Sequence, residues 1–429
     1  MQTHVLIIKT MLIENTSKSI KYEDYIPLVG QKSIHELLLK VEKIGKRSIF
    51  HINVMPQGGG VAEILKSAVP FERSLGLNVR WFSPLPDSAF FEMTKKMHDA
   101  LHGETLSFTK QEQEVYRDYN NRVAKELADL APDILIIHDL EPLAALYFMT
   151  ANIPGFSIAR IHRDITASSR EVAEFLMPYF GNFRRIIFST EECILKGLDL
   201  SKVRVSPPAI DPLSLKNRLQ KKETKKKVLS LIGIDNERPY MLQTGRFDSW
   251  KDPQGAVDVY RKVKEKVSGL QLVLAGIRES ADDSEVVRVY DAVEEKVRGD
   301  RDVLLLFNVT QLKGIPLDQA IAVLEECADA VLHKPIHEGF GLAVTEAMWK
   351  EKPVVGANVG GIRIQIDDGK NGFLVNSSDE AAKKILFLLT YIKEAEEMGK
   401  RAKETVARHY LLPRYISDEL SIILEGVSK

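Results

Sequence analysis

SIFHINVMPQGGGVAEILKSAVPFERSLGLNVRWF, residues 48 to 82, is the stretch whose reading decides the fold. It opens on a short apolar run, Ile49 to Val54, and turns through Gly58-Gly59-Gly60. It then continues as an amphipathic helix from Val61 to Leu75 and ends on a second apolar run, Val79 to Phe82. Strand, glycine turn, helix and strand in that order make a βαβ unit of a parallel sheet. The same alternation continues through Ile134 to His138, Ser157 to Ile161 and Ile186 to Ser189. Ahead of it, residues 1 to 46 offer one readable helix, Ser33 to Ile44.

The prolines of Pro207-Pro208 and Ile210-Asp211-Pro212 end this series, and the lysine run Lys221 to Lys227 reads as a solvated helix start. A second series follows: Tyr240 to Thr244, Leu270 to Ala275, Val303 to Phe307, Ala330 to His333, Val354 to Gly356 and Phe373 to Val375. A chain of 429 residues exceeds the usual span of one core, so two α/β domains are expected. We place the first at residues 1 to 215 and the second at 216 to 409, joined near 206 to 225. A C-terminal helix, about 410 to 429, is expected to pack back on the first domain.

In open α/β sheets ligands collect at the carboxyl ends of the strands, so the polar residues there carry the functional reading. In the second domain Gly245-Arg246-Phe247 follows a strand, with Lys251 five positions beyond Arg246. Arg246 and Lys251 suit an anion; they also fit a pair of surface cations tied to Asp248 and Asp252. His337-Glu338-Gly339-Phe340-Gly341 leads into a helix over Leu342 to Trp349. Its glycines permit a sharp turn, and the N–H groups at the helix start seat a phosphate. Glu338 and Glu346 would repel that phosphate but can accept bonds from sugar and ribose hydroxyls on either side of it. An ordinary solvated helix start fits the same letters.

In the first domain Gly58 to Gly60 form a turn that can lie over a phosphate or sugar. Asp139 reads either as a group that orients hydroxyls or as the N-cap of a helix starting near Glu141. His162 can donate to a ligand, while Arg163 and Asp164 fit an ion pair on the rim.

Composition narrows the function. The chain is 44% hydrophobic and 28% charged with a net charge of −1, which leaves no field for nucleic acid or an anionic membrane. The two cysteines, Cys193 and Cys327, lie outside any metal-binding or disulfide spacing. The apolar run Val5 to Leu12 is broken by Lys9 and lacks a cleavage pattern, and the run around Ile134 to Ile161 carries His138, Asp139 and Glu141. A cytoplasmic protein is expected. Neither a GxGxxG nor a GxxxxGK[ST] motif is present. The DxD Asp300-Arg301-Asp302 precedes a strand, on the edge opposite the site, so no metal-bridged diphosphate is expected and protein cations must serve instead.

The Arg/Lys turn together with the segment from His337 to Ala347 resembles the family 4 retaining glycosyltransferases of the GT-B fold, two Rossmann-like domains with parallel sheets facing across a cleft. Gly58 to Leu65, Val79 to Phe82, Pro207 to Pro212, Arg246 to Lys251 and Thr345 to Lys350 are similar to archaeal and bacterial trehalose synthases of the glycosyltransferring kind, and the likeness runs from about Tyr22 onward. The resemblance implies a reversible transfer of glucose, with retention, from ADP-glucose or UDP-glucose to glucose.

It also implies roles for residues. Arg246, Lys251 and the N–H groups near Gly341 and Leu342 would hold the diphosphate. Glu346 would take the ribose and Glu338 the transferred sugar. The Gly58, Gly59 and Gly60 loop would close over the donor, His162 would contact its sugar, and Asp139 would place the acceptor. The implied partners are small molecules, with a homodimer open, and no metal is required.

The chain departs from the family pattern at Arg163 and at Leu140-Glu141, both on the acceptor side. Arg163 leaves room for another acceptor, such as a sugar phosphate, although an ion pair with Asp164 or Glu171 fits it too. A nucleotide-sugar epimerase on the same fold would need an acid/base pair, which only His162 and Asp139 offer. A sugar-nucleotide binding protein without turnover is a third reading.

Overall fold

The computed structural model describes residues 10–57, 59–101, 106–165, 169–278 and 284–427. It divides into two compact units, Met1–Pro207 with Tyr415–Lys429, and Pro208–Arg414. Residues 208 to 215, assigned from sequence to the first domain, belong with the second unit. There Ile210 pairs with Leu411, and its N–H donates to the Tyr410 carbonyl at 2.9 Å.

The first unit holds β1 (Leu12–Glu14), β2 (Ser48–Ile52), β3 (Asn78–Pro84), β4 (Ile134–His138), β5 (Phe156–Ile161), β6 (Arg185–Phe188) and β7 (Val203–Val205), in the spatial order β1-β3-β2-β4-β5-β6-β7. All neighbours pair in parallel except β1, which runs antiparallel to β3. The sequence reading missed β1 and β7. At three residues each, they are too short to show alternation. The opening run Val5 to Leu12 lies largely outside the described residues; its last member, Leu12, begins β1.

The strand registers sort the side chains by face. Phe50 lies opposite Leu135, Ile52 opposite Ile137 and Ile137 opposite Ala159. This face packs with Phe90, Tyr116, Tyr119, Val123 and Leu127 in one apolar cluster. Burying each such side chain contributes about 1.5–3 kcal/mol before chain entropy is subtracted. On the alternate positions His51 pairs with Ile136, and His138 with Arg160. That face is therefore buried yet partly polar, and it contacts the C-terminal helix Leu412–Val427 through the Arg160–Glu419 ion pair at 2.9 Å.

The second unit holds β8 (Tyr240–Thr244), β9 (Gln271–Arg278), β10 (Val303–Asn308), β11 (Ala330–His333), β12 (Val354–Ala357) and β13 (Gly372–Val375) in the order β10-β9-β8-β11-β12-β13, every pair parallel. The order steps outward both ways from β8 and β11, so the loops after these two neighbours share one edge. Met241, Leu272, Leu274, Leu332 and Val355 supply its core, with Val257, Tyr260, Ile385 and Leu388 from the covering helices. No helix among the described residues is long and apolar enough to cross a membrane.

Between the helix Leu317–Cys327 and the C-terminal end of the helix Leu342–Trp349 lies a buried ion pair, Lys350 Nζ to Glu325 Oε2 at 2.7 Å, with both side chains fully inaccessible. Removing one partner strands the other's charge in the interior. Lys350→Met should destabilise the protein by about 3–5 kcal/mol, whereas Lys350→Met with Glu325→Met should recover most of the loss. Urea unfolding of the full chain reads this; a loss near zero in the single variant would refute the pair's structural weight.

Candidate active site

The turn after β8 is set by packing. Gly245 has φ +141°, a conformation L side chains rarely adopt, and a Cβ on Gly276 of β9 would lie 2.5 Å from the Phe247 ring. With Phe247 buried, the turn is anchored and Arg246 is left 52% exposed. Arg246 donates from Nε to Asp248 Oδ2 at 2.9 Å. Burial raises the Asp248 pKa, and Arg246 only partly offsets it. The local ion pair read from sequence thus forms for Arg246.

Lys251 goes elsewhere. Gln243 Nε2 donates to its carbonyl at 3.0 Å, and its Nζ donates to Glu338 Oε2 at 2.5 Å. Asp252 instead pairs with Lys334 and accepts from the Gly255 N–H at 2.9 Å, capping the helix Pro253–Lys264. The loops after β8 and β11 are stitched together by backbone as well, Ile336 N–H to the Trp250 carbonyl at 2.7 Å.

Glu338 is the meeting point. His333, the last residue of β11, lies 2.9 Å from the same Oε2 through Nε2. An ionised carboxylate only accepts, so His333 carries its proton on Nε2. Burial alone would raise the Glu338 pKa, but Lys251 and His333 outweigh it and take it down to about 2. Glu338 is therefore an anion throughout the neutral range.

Gly341 sits at φ +87° as the N-cap of the helix Leu342–Trp349, and a Cβ there would meet Glu338 Cγ at 3.3 Å. The turn is clamped from behind. Gln365 Nε2 donates to the Phe340 carbonyl at 2.6 Å, and its Oε1 accepts from Thr345 at 2.6 Å. Gly360 and Gly361 are required by close approach: a Cβ on Gly361 would lie 2.4 Å from Phe340 Cα. Further along the helix, buried Glu346 accepts from Lys216 Nζ at 2.8 Å. Burial raises its pKa against Lys216.

The structure thus brings Lys251, Glu338 and Gly341 together, with Leu342 opening the helix beside them, Arg246 on the same edge and Glu346 deeper in the helix. Sequence reading missed His333 and Lys216. His333 ends a strand, so the strand-end rule contained the signal; Lys216 lies in the join and gave none.

In the first unit Asp139 is buried with φ +61°, and the short helix that follows, Ala145–Phe148, is capped at Ala144. The capping reading of Asp139 is corrected: its Oδ1 accepts from the His162 backbone N–H at 2.8 Å, across to the end of β5. Arg163 lies between two carboxylates, 3.6 Å from Asp139 Oδ2 and 3.2 Å from Glu141 Oε1. His98 Nε2 meets the same Glu141 oxygen at 2.9 Å. Glu141 falls to about 2 because Arg163 and His98 outweigh its burial, whereas burial lifts Asp139 to about 6 against the pull of Arg163.

His162 lies at the same end, its Nε2 3.0 Å from His138 Nδ1. Gly59 and Gly60 begin the helix Gly60–Ser74 after β2, and a Cβ on Gly59 would meet nothing within 4 Å. Gly58 lies outside the described residues.

Residues 51–195 match the trehalose synthase N-terminal domain, and residues 222–405 match the glycosyl transferases group 1. Trehalose synthase of Pyrococcus horikoshii is 38% identical over 411 residues, 96% of this chain and 97% of that protein. Trehalose synthase of Rubrobacter xylanophilus is 37% identical, covering 93% of this chain and 95% of that one. Among solved structures, an α,α-trehalose-phosphate synthase (UDP-forming) from Burkholderia xenovorans, in complex with glucose-6-phosphate, aligns with a TM-score of 0.70 at 13% identity, covering 88% of this chain and all (100%) of that one. Anabaena HepE in complex with UDP-glucose aligns with a TM-score of 0.67 at 17% identity over 88% of this chain and 99% of that one. The chain belongs to the trehalose synthase family and is a glycosyltransferase of the GT-B fold.

Proposed function

We propose that this enzyme transfers glucose with retention from a nucleotide sugar, ADP-glucose or UDP-glucose, to glucose, and that it makes trehalose reversibly. The observation that carries this reading is the carboxylate of Glu338, held ionised by Lys251 and His333 beside the N-terminus of the helix Leu342–Trp349. A sugar diphosphate needs cations and N–H donors for its phosphates and acceptors for its hydroxyls, and these lie side by side here.

In the proposed step the bond from the glucose anomeric carbon to the diphosphate oxygen breaks, and a bond to the anomeric oxygen of the acceptor forms. The acceptor's proton passes to the leaving diphosphate. Arg246, Lys251 and the N–H groups at Gly341 and Leu342 stabilise the departing charge. Glu338 accepts from hydroxyls of the transferred sugar and Glu346 from those of the ribose. On the first unit Gly59 and Gly60 cover the donor, His162 donates to its sugar, and Asp139 positions the acceptor.

Arg163 is shared by two carboxylates, Asp139 and Glu141, whereas Arg246 and Lys251 each meet one, so the surroundings of Arg163 are the less favourable to a phosphate. This favours uncharged glucose over a sugar phosphate as acceptor. The proposed step uses protein cations in place of a metal, and Asp300 and Asp302 of the DxD are bonded by Lys264, 2.9 Å from each, and Arg238, 2.5 Å from Asp302.

Incubation with ADP-glucose or UDP-glucose and glucose should give a non-reducing disaccharide by chromatography. Glucose should outperform glucose 6-phosphate as acceptor, and excess EDTA should leave the rate unchanged. Absence of product with every common donor would sink the reading, and product formed without an acceptor would favour an epimerase. Arg246→Ala should lower kcat/KM by roughly 100- to 1,000-fold. Because the same variant leaves buried Asp248 without its Arg246 partner, a modest fall in melting temperature is expected, with the protein still folded at the assay temperature. Loss of folding in place of rate would reassign Arg246 to structure.

A further inference from the structure

The polar face of the first sheet carries a row of imidazoles that rises from the interior to the carboxyl edge. His51 lies within β2, His138 ends β4 and His162 follows β5, on three adjacent strands. His51 Nδ1 is 3.0 Å from His138 Nε2, and His138 Nδ1 is 3.0 Å from His162 Nε2. The rings stack along the row, with centroids 5.3 and 5.2 Å apart and interplanar angles of 29° and 21°. Each contact joins a δ nitrogen to an ε nitrogen, so the proton position on one ring dictates the next. A neutral imidazole that accepts at Nε2 must carry its proton on Nδ1.

The inner end sets the direction. His51 Nε2 lies 3.2 Å from Glu72 Oε2, off the line of the ring N–H, and 3.9 Å from Glu419 Oε1. All three side chains are inaccessible, and Arg160 Nη1 bonds Glu419 Oε2 at 2.9 Å. An imidazolium at His51 with Arg160 balances the two carboxylates, leaving the buried cluster neutral. A neutral Glu72 donating to His51 Nε2 does the same. Both arrangements put a proton on His51 Nδ1, which then donates to His138; His138 donates in turn to His162. Burial opposes charge on His51, yet Glu72 and Glu419 raise its pKa, whereas burial holds His138 and His162 well below the usual range and hence neutral.

We propose that His51 and His138 are positioning residues that hold His162 as the Nδ1–H tautomer, so that the first unit offers the transferred sugar a hydrogen-bond donor and not an acceptor. The role toward sugar rests on the transfer reaction proposed above; the tautomer does not. One competing arrangement exists. A proton shared between Glu72 and Glu419 would let neutral His51 donate from Nε2 and would reverse every bond of the row.

Nitrogen NMR of the full-length protein with ¹⁵N-histidine, without substrate, distinguishes the two. The His162 signals are assigned by their loss in His162→Asn. The expected result is a protonated Nδ1 and an unprotonated Nε2 on both His138 and His162; protonated Nε2 on His162 overturns the proposal. Kinetics supply the second arm. His138→Phe keeps an aromatic ring in the stack but breaks the row, and should lower kcat roughly tenfold with little change in the KM for glucose. In a His162→Ala background the same change should have no further effect. Additive losses would mark His138 as merely structural and overturn its positioning role. If no transfer is found at all, the functional reading fails, and the NMR arm still decides the tautomer.

Discussion

The carboxylate of Glu338 is where the second unit's site is held together. Lys251 reaches it from the loop after β8 and His333 from the end of β11, both on the same oxygen. An ionised carboxylate out of water is costly unless compensated, and here one cation and one ring N–H supply the compensation. The geometry around it follows. Gly341 must be glycine for its φ and for its approach to Glu338, Gly360 and Gly361 because the loop lies against them, and Gln365 because it closes the remaining carbonyls. The candidate site is thus held by bonds made within the protein, as the leaving-group stabilisation proposed above would require.

The two units solve the problem of buried charge differently. In the second, three cations each meet one near carboxylate: Lys251 meets Glu338, Lys350 meets Glu325 and Lys216 meets Glu346. In the first, the compensation is spread over a row in which imidazoles pass the bond from ring to ring, ending on Glu72 and on the Glu419–Arg160 pair, with Arg160 also 3.8 Å above the Tyr415 ring. A row of this kind can transmit orientation, because a neutral imidazole that accepts on one nitrogen must donate from the other. Asp139 works by a simpler route: with its backbone at positive φ, it bonds the backbone N–H of His162 and so locks the end of β5 to the end of β4.

Much of the fold was legible. The strands at Ile134–His138, Tyr240–Thr244 and Ala330–His333 and the helix Leu342–Trp349 have the bounds read from the letters, since each is an apolar run closed by polar or glycine residues. The elements that escaped, β1 and β7, are stabilised by pairing and carry too few residues to show a period. The helix expected near Glu141 was an error of the same origin. An Asp before an apolar stretch is an N-cap only if the next residues are free to wind, and here Asp139 is held by the neighbouring strand.

By itself the sequence determined the α/β class, the two-fold repetition of βα units, the Arg246 and Lys251 turn and the glycine turn before Leu342, because these depend on residue types a few positions apart. Tertiary structure alone decided which cation meets which carboxylate. Arg246 took the neighbour two positions away, while Lys251 passed over adjacent Asp252 for Glu338, 87 positions on. Arg160 found Glu419 at a separation of 259 residues. The physical reason is that charge and hydrogen bonding are settled by distance in space, and the sheet order β10-β9-β8-β11-β12-β13 that makes the loops after β8 and β11 neighbours is not written in either loop.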